Sequence, residues 1–343
     1  MNDDSKRAGA VPESEAPWLS VVLPCYNEAQ VIVETHRRVT AVCTAVGKPY
    51  ELIFVNDGSE DQTWSQLRRL SEADPRLVAV NLSRNHGHQL ALSAGLHFAR
   101  GERVLIMDAD LQDPPELLFE MLRKMDEGAE VVYAQRRSRP GDAPLKRLCC
   151  ALYYRLLRAI SDTQVPLDAG DFRLISRRVR DLIVAIPERR PFIRGLVSWL
   201  GLRQEAVFYD RDARFAGESK YPLRKLLGLG IDGIVCSGVR PLRFAALVGG
   251  GAIGLGVLLA AYALLSWLFV GATPRGWTSL LVVVVLLGGA QLLVLGILGE
   301  YLARIYQQTR GLPLFVVESV ISRGGRPRGE GEGPGASRAP TAP

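Results

Sequence analysis

No charged residue occurs between Arg243 and Arg275, a stretch of about 30 residues. After Gly276 a second uncharged stretch, LLVVVVLLGGAQLLVLGILG, runs to Glu300. Each is long enough to cross the hydrocarbon core of a bilayer with some tilt. The alternative is a pair of buried helices in a soluble protein, but core helices are seldom this long and apolar on every side. The connector GATPRGW is short, so a two-helix transmembrane hairpin is expected over 242–303. Arg240 and Arg243 precede the first stretch, and Arg304 and Arg310 follow the second. Basic flanks put both ends, and the rest of the chain, on the cytoplasmic side of the inner membrane, as a multi-pass protein. The spans carry no charge, which argues against a conduction pathway. Gly249, Gly250, Gly251, Gly254 and Gly256 would let spans approach closely, leaving a homo-oligomer open.

The remaining sequence has room for one large domain. A hydrophobic share of 48% and a mean hydropathy of +0.08 fit a soluble part with some membrane-embedded sequence rather than a polytopic transporter. The formal charge of +6 and pI near 9.2 fit anionic partners. With two apolar stretches present, phosphate-bearing substrates and an anionic leaflet are favoured over nucleic acid. The five cysteines are odd in number and show no zinc or disulfide spacing, so they are expected to be reduced. Residues 1–17 are polar, with no signal peptide, and 323–343 are rich in Gly and Pro; both are expected to be disordered.

From Leu19 onward short apolar runs alternate with helical stretches. Strands are expected at 19–24, 51–57, 77–83 and 103–110, and helices at 28–46, 61–73 and 87–100. Strands this apolar belong to a parallel sheet covered on both faces, so a doubly wound α/β domain is expected over 18–221. Ligands bind such sheets at the carboxyl ends of the strands. The polar motifs fall there: Asn27-Glu28, Asp57-Gly58, Ser83-Arg84-Asn85 and Asp108-Ala109-Asp110. Two further segments read as interfacial. In 144–161, Leu145, Leu148, Leu152, Leu156 and Ile160 recur at helical spacing beside Lys146, Arg147, Arg155 and Arg158. The juxtamembrane stretch 222–241 leads into the first span, and 304–322 is expected to be a cytoplasmic C-terminal segment.

Asp108 and Asp110 are too close for both to stay charged without a cation. A hard divalent ion, Mg²⁺ or Mn²⁺, shared with a diphosphate meets that need; capping of a following helix is the plainer alternative. Asn27 and Glu28 suit a turn around a nucleoside or, alternatively, a helix cap. Asp57 suits a hydrogen bond to a base or ribose, and Gly58 a tight turn. Arg136 and Arg137, and Arg211, Arg214 and Lys220 in RDARFAGESKYP, offer cations for a phosphate or for anionic lipid in general. His86 and His88 flank Gly87 and fit either phosphate contacts or a solvated loop.

Together these motifs resemble family 2 glycosyltransferases of the GT-A, Rossmann-like αβα fold. The motifs are Pro24-x-Tyr26-Asn27-Glu28, Asn56-Asp57-Gly58-Ser59, Ser83-Arg84-Asn85-x-Gly87 and Asp108-Ala109-Asp110-Leu111-Gln112-Asp113-Pro114. The chain is most similar to polyprenyl-phosphate hexosyltransferases, over roughly residues 18 to 320. The resemblance implies a nucleotide-sugar pocket from Pro24, Tyr26, Asn27, Glu28, Asp57, Gly58, Ser83, Asp108, Ala109 and Gln112. It implies a divalent ion on Asp108 and Asp110, and matches Asp171 to an aspartate proposed as catalytic base. A phosphate monoester is mostly dianionic at neutral pH and needs little proton removal, so Asp171 is equally suited to orienting the acceptor. The expected reaction is inverting transfer of a hexose from a UDP- or GDP-sugar to a polyprenyl phosphate, UDP-glucose and undecaprenyl phosphate favoured. A processive polysaccharide synthase is disfavoured: it needs more spans and a Gln-x-x-Arg-Trp motif, where this chain has Arg194-Gly195-Leu196-Val197-Ser198-Trp199. A non-catalytic membrane scaffold is the alternative of another class.

Overall fold

The computed structural model describes residues 16–136, 169–186, 188, 191–209, 240–270 and 276–322. The expected helix over 144–161, most of 222–241, the chain ends expected to be disordered, and Arg137, Arg211, Arg214 and Lys220 lie outside these residues.

The first three apolar runs form β1 (Leu19–Cys25), β2 (Tyr50–Asn56) and β3 (Leu77–Leu82), buried almost throughout. Helices α1 (Ile32–Val46), α2 (Thr63–Ala73) and α3 (His88–Phe98) follow them in turn, and β4 (Arg103–Ile106) comes next. The four strands are parallel, in the order β4-β1-β2-β3. Side chains alternate between faces, as the strand period of two requires. Leu19, Val21, Leu23, Leu52, Phe54 and Leu105 face one core, which Val39 of α1 and Leu67 of α2 complete. Val22, Ile53, Val80, Val104 and Ile106 face the other, with Leu92 and Leu96 of α3. The chain runs from β1 out to β2 and β3, then crosses back to β4 on the other side of β1. That reversal creates the crevice at the strands' carboxyl ends.

Beyond β4 come a 3₁₀ turn (Pro115–Leu117), α4 (Leu118–Asp126), β5 (Val131–Arg136), β6 (Ala169–Ser176), α5 (Arg177–Ala185), α6 (Ile193–Trp199) and β7 (Gln204–Tyr209). Here the sheet departs from the expected parallel arrangement. β6 lies antiparallel to both β4 and β5, giving a mixed sheet ordered β7-β5-β6-β4-β1-β2-β3-β8.

One expectation needs correction. The fourth strand ends at Ile106, not at residue 110. Asp108 and Asp110, two residues apart, would share one face of a longer strand and be driven into an apolar layer. The chain instead leaves the sheet after Met107, whose N–H still donates to Val22 O (3.1 Å). The C-terminal segment 304–322 enters the sheet. Its last part forms β8 (Val317–Ser322), antiparallel to β3 at the sheet edge.

A second unit holds α7 (Arg240–Val270) and α8 (Trp277–Thr309), which contact each other. By length and composition one segment among the described residues is able to cross a membrane: Leu286–Thr309, mean hydropathy 1.6, with none of it buried. The described residues of α7 give the shorter apolar segment Gly249–Tyr262.

Candidate active site

Three loops at the carboxyl rim are hydrogen-bonded into one unit. After β1, Asn27 takes a left-handed conformation (φ 55°). Its N–H donates to Ser59 Oγ (3.0 Å), and its Oδ1 accepts from Glu60 N–H (2.9 Å). Glu28 N–H donates to Thr63 Oγ1 (2.9 Å), so the first loop is stitched to the turn after β2. Tyr26 stands partly exposed at the rim. Asp57 is buried, and its carboxylate accepts the N–H groups of His86 (2.7 Å) and Gly87 (2.9 Å) from the loop after β3. Beside it Gly58 (φ 64°) touches that loop: a Cβ there would sit 2.4 Å from the carbonyl carbon of Arg84.

The loop after β4 carries the carboxylates. Ala109 is buried, and its carbonyl accepts from Thr35 Oγ1 (2.7 Å). Asp110 Oδ1 accepts from Gln112 N–H (3.2 Å). Between them Leu111 is held at φ 58°, which costs a branched residue on the order of 1–2 kcal/mol. Such strain persists where the surroundings fix it, here by burial of Leu111, Gln112 and Asp113, with the Tyr209 hydroxyl donating to Asp113.

Antiparallel pairing brings in Asp171. Ile106 of β4 pairs with Arg173 of β6, which carries Asp171 of β6 to the end of β4, where the loop with Asp108 begins. The Asp171 carboxylate is buried and receives four donors: Arg194 Nε (2.7 Å) and Nη2 (3.0 Å), Gln89 Nε2 (3.1 Å) and His88 Nε2 (3.0 Å). Gln89 Oε1 in turn accepts from Ile193 N–H (3.1 Å), joining α3 to the start of α6. His88 also lies 3.7 Å from Asp108 Oδ1.

The electrostatics follow from this geometry. Burial pushes Asp171 up, but the hydrogen bonds and charges of His88 and Arg194 prevail and hold it well below the usual carboxylate range. Burial pushes His88 down, but its bond to Asp171 and the charges of Asp108 and Asp171 carry it up to about 9, so it is a cation at neutral pH. Asp108 is raised to about 6, first by burial, then by Asp171, Asp113 and Asp110 acting against the help of His88. Asp108 and Asp171 thus converge with His88 and Arg194, and Asp110 and Asp113 lie close enough to raise Asp108 further. All-oxygen donors of this kind suit Mg²⁺ or Mn²⁺. Among the described residues no three His, Cys, Asp or Glu side chains gather to hold an ion by themselves. An ion on Asp108 and Asp110 would therefore draw further ligands from a bound phosphate, the usual habit of Mg²⁺.

The family model described as glycosyl transferase family 2 matches residues 20–183, the stretch bearing every residue above except Ile193 and Arg194 at the start of α6 and Tyr209 of β7. The uncharacterized glycosyltransferase YkcC of Bacillus subtilis is 47% identical over 87% of this chain and 93% of its own. The chain belongs to glycosyl transferase family 2. Its α/β domain with a mixed sheet is the GT-A-like fold. Another relative of this glycosyltransferase, the bactoprenol glucosyl transferase of Shigella phage SfV, is 38% identical over 88% of this chain and 98% of its own. Among solved structures, glucosyl-3-phosphoglycerate synthase from Mycobacterium tuberculosis aligns with 64% of this chain and 78% of its own, at 21% identity and a TM-score of 0.43.

The glycosyltransferase joins Asn27, Glu28, Asp57, Gly58 and the loop from Ser83 at the rim, and His88 after that loop reaches Asp108 and Asp171. Pro24 is buried within β1, and the N–H of Ser83 donates to Val316 O (3.0 Å). Arg136 ends β5. His88, expected as a phosphate contact or a solvated loop residue, sits between two aspartates. Gln89 and Arg194 carry no expectation from the sequence, and both bond to Asp171. A cation near the Gly-Asp-Phe-Arg segment was to be sought because a buried aspartate needs one. The sequence does not say which arginine supplies it.

Proposed function

We propose that this glycosyltransferase moves a hexose from a nucleotide-sugar, UDP-glucose favoured, to the phosphate of a polyprenol, undecaprenyl phosphate favoured, at the cytoplasmic face of a membrane. The observation that carries the proposal is the similarity to bactoprenol glucosyl transferases over 88% of the chain, a coverage too long to omit the helical region. Chain connectivity supports the membrane part. β7, before α7 in the chain, and β8, after α8, lie in one sheet, so the chain returns to the side it left. A crossing by α8 then requires a second one, and α7, with 244–274 uncharged, is the segment to make it. Arg240, Arg243, Arg304 and Arg310 at the ends fit the cytoplasmic side.

In the proposed reaction an oxygen of the acceptor phosphate bonds to the anomeric carbon. The bond from that carbon to the donor diphosphate breaks, and its electron pair leaves with the nucleoside diphosphate. One displacement inverts the anomeric centre. The acceptor is already mostly dianionic near neutral pH, so no residue need remove a proton. Asp171 is accordingly assigned an orienting role, because its carboxylate is occupied by four donors and is a poor base. His88 and Arg194, held by it, supply positive charge where two phosphorylated substrates meet. Asp108 and Asp110 would hold Mg²⁺ or Mn²⁺, which when bound offsets charge growing on the leaving diphosphate. Asn27, Glu28, Asp57, Gly58 and Tyr26 would receive the nucleoside. Arg136, Arg137, Arg211, Arg214 and Lys220 remain the proposed contacts for the lipid phosphate.

The test is transfer of label into the organic phase by purified protein in detergent. It receives short-chain polyprenyl phosphate, Mn²⁺ or Mg²⁺, and labelled UDP-glucose, UDP-N-acetylhexosamines or GDP-mannose. UDP-glucose is expected to give lipid-soluble label, and Asp110→Ala to reduce it by about 100-fold or more. No transfer from any donor, despite nucleotide binding, would remove the polyprenyl phosphate from the proposal.

A further inference from the structure

Side-chain contacts run in a line from β8 to the turn after β2. Glu318 Oε2 accepts from Asn81 Nδ2 (2.6 Å), and Asn81 Oδ1 accepts from Asn56 Nδ2 (2.7 Å). Asn56 Oδ1 then accepts the Ser59 N–H at the longer distance of 3.4 Å. Ser59 Oγ takes the N–H of Asn27 (3.0 Å) in the loop after β1. Asn56 and Asn81 are buried, with 2% and 8% of their surface exposed, so their amides depend on these partners. Glu318 reaches Asn81 through an irregularity in β8. Ser319 pairs with Asn81 and Val317 with Leu82, which leaves Glu318 as the extra residue. Bulges of this kind re-aim a side chain.

Chemistry gives the line a direction. An amide side chain has a donor end and an acceptor end of nearly the same shape, whereas an ionised carboxylate only accepts. Glu318 therefore requires the NH₂ group of Asn81, which turns the Asn81 oxygen toward β2. That oxygen requires the NH₂ group of Asn56, which turns the Asn56 oxygen toward the Ser59 N–H. Reversing the line would set the Asn56 NH₂ against the Ser59 N–H, donor against donor. The same return segment braces its surroundings: the Val316 carbonyl accepts from Ser83 N–H (3.0 Å), and Phe315 stacks edge-on to His97 of α3 at 5.3 Å.

We propose that Glu318 is a positioning residue for the donor nucleotide. Through Asn81 and Asn56 it sets the turn Asp57-Gly58-Ser59, so the strand returning from α8 is a working part of the donor site. This rests on the reading of Asn27, Asp57 and Gly58 as the nucleotide pocket. It concerns donor binding, and leaves the acceptor and the bond-forming groups untouched.

The experiment uses the full chain in detergent. UDP and GDP are titrated calorimetrically in the presence of Mn²⁺, and donor KM, acceptor KM and kcat are measured. Glu318→Gln keeps an acceptor oxygen and is expected to bind nucleotide within about twofold of the parent protein. Glu318→Ala removes the director and is expected to weaken binding about fivefold. Glu318→Lys only donates, reverses the line, and is expected to weaken binding about 30-fold. In all three, kcat and acceptor KM stay near the parent values. Ser322→Ala, which pairs with Val78 at the far end of β8, is the control and leaves nucleotide binding unchanged. If Glu318→Lys fails to fold by its thermal melt, the order of Gln against Ala still decides. Equal binding by the Gln, Ala and Lys variants, or a loss confined to kcat or acceptor KM, overturns the proposal. Asp57→Asn separates the two levels: if it too binds nucleotide normally, the pocket reading has failed and Glu318 falls with it. If Asp57→Asn weakens binding and the Glu318 variants do not, only the role of Glu318 is lost.

Discussion

Asp171→Asn is expected to lower sugar transfer by about 100-fold or more, and adding Arg194→Gln to it is expected to cost little further. The reason is that the two side chains act as one device. Arg194 reaches Asp171 with two N–H groups, at 2.7 and 3.0 Å, and His88 and Gln89 take up the rest of the carboxylate. An asparagine keeps the shape but loses the charge, and one of its two ends becomes a donor facing donors. Arg194 and His88 then lose the anion that aims them, and His88 drifts from Asp108. Breaking a buried ion pair from one side costs several kcal/mol, but the Arg194 side chain is 35% exposed. A discounted loss of about 2 kcal/mol, seen as a melting midpoint lower by a few degrees, is expected. The double-variant cycle separates this from a role as proton acceptor. Two independent roles would multiply their losses in the double variant, and that outcome would remove the orienting assignment.

The second large effect is expected at Gly58. Gly58→Ala places a methyl carbon 2.4 Å from the Arg84 carbonyl carbon and 2.5 Å from the Asn85 nitrogen, both backbone atoms without a rotamer to escape into. The turn must part from the loop after β3, and the two N–H bonds to Asp57 must stretch with it. Nucleotide affinity is expected to fall about 100-fold, which corresponds to about 2.7 kcal/mol. Gly47→Ala is the matched comparison. Gly47 has a similar φ of 71°, but nothing lies within 4 Å of its would-be Cβ. There only the left-handed strain remains, about 1 kcal/mol of stability, and nucleotide affinity stays unchanged. Equal affinities for the two variants, by calorimetric titration, would show that close approach at Gly58 does not shape the site.

The central strands and their rim motifs were legible in the sequence because each is a local signal. An apolar run bounded by Asp-Gly or Asn-Glu needs no knowledge of the rest of the chain, and LSVVLP, ELIFVND and LVAVNLS all became buried parallel strands. What was missed depends on pairing at long range. His88 and Asp171 are 83 residues apart, and their contact exists because β6 runs antiparallel beside β4. Nothing in either segment announces that register. β4 stops short of residue 110 because Asp108 and Asp110 would share one face of a strand buried on both sides, a cost that outweighs the apolar run before them. β8 was hidden by its position after a long apolar helix, although its β-branched residues Val317, Val320 and Ile321 are a fair strand signal.

The most direct measurement of the central claim is the structure of the lipid product. Purified protein, UDP-glucose and a short-chain polyprenyl phosphate would be incubated with Mn²⁺, and the extracted lipid examined by mass spectrometry and by phosphorus and proton magnetic resonance. The account predicts a single phosphodiester joining a β-linked hexose to the polyprenol, with UDP released in equal amount. A diphosphate linkage, retention of the donor's α configuration, or hexose recovered only in water-soluble products would contradict it.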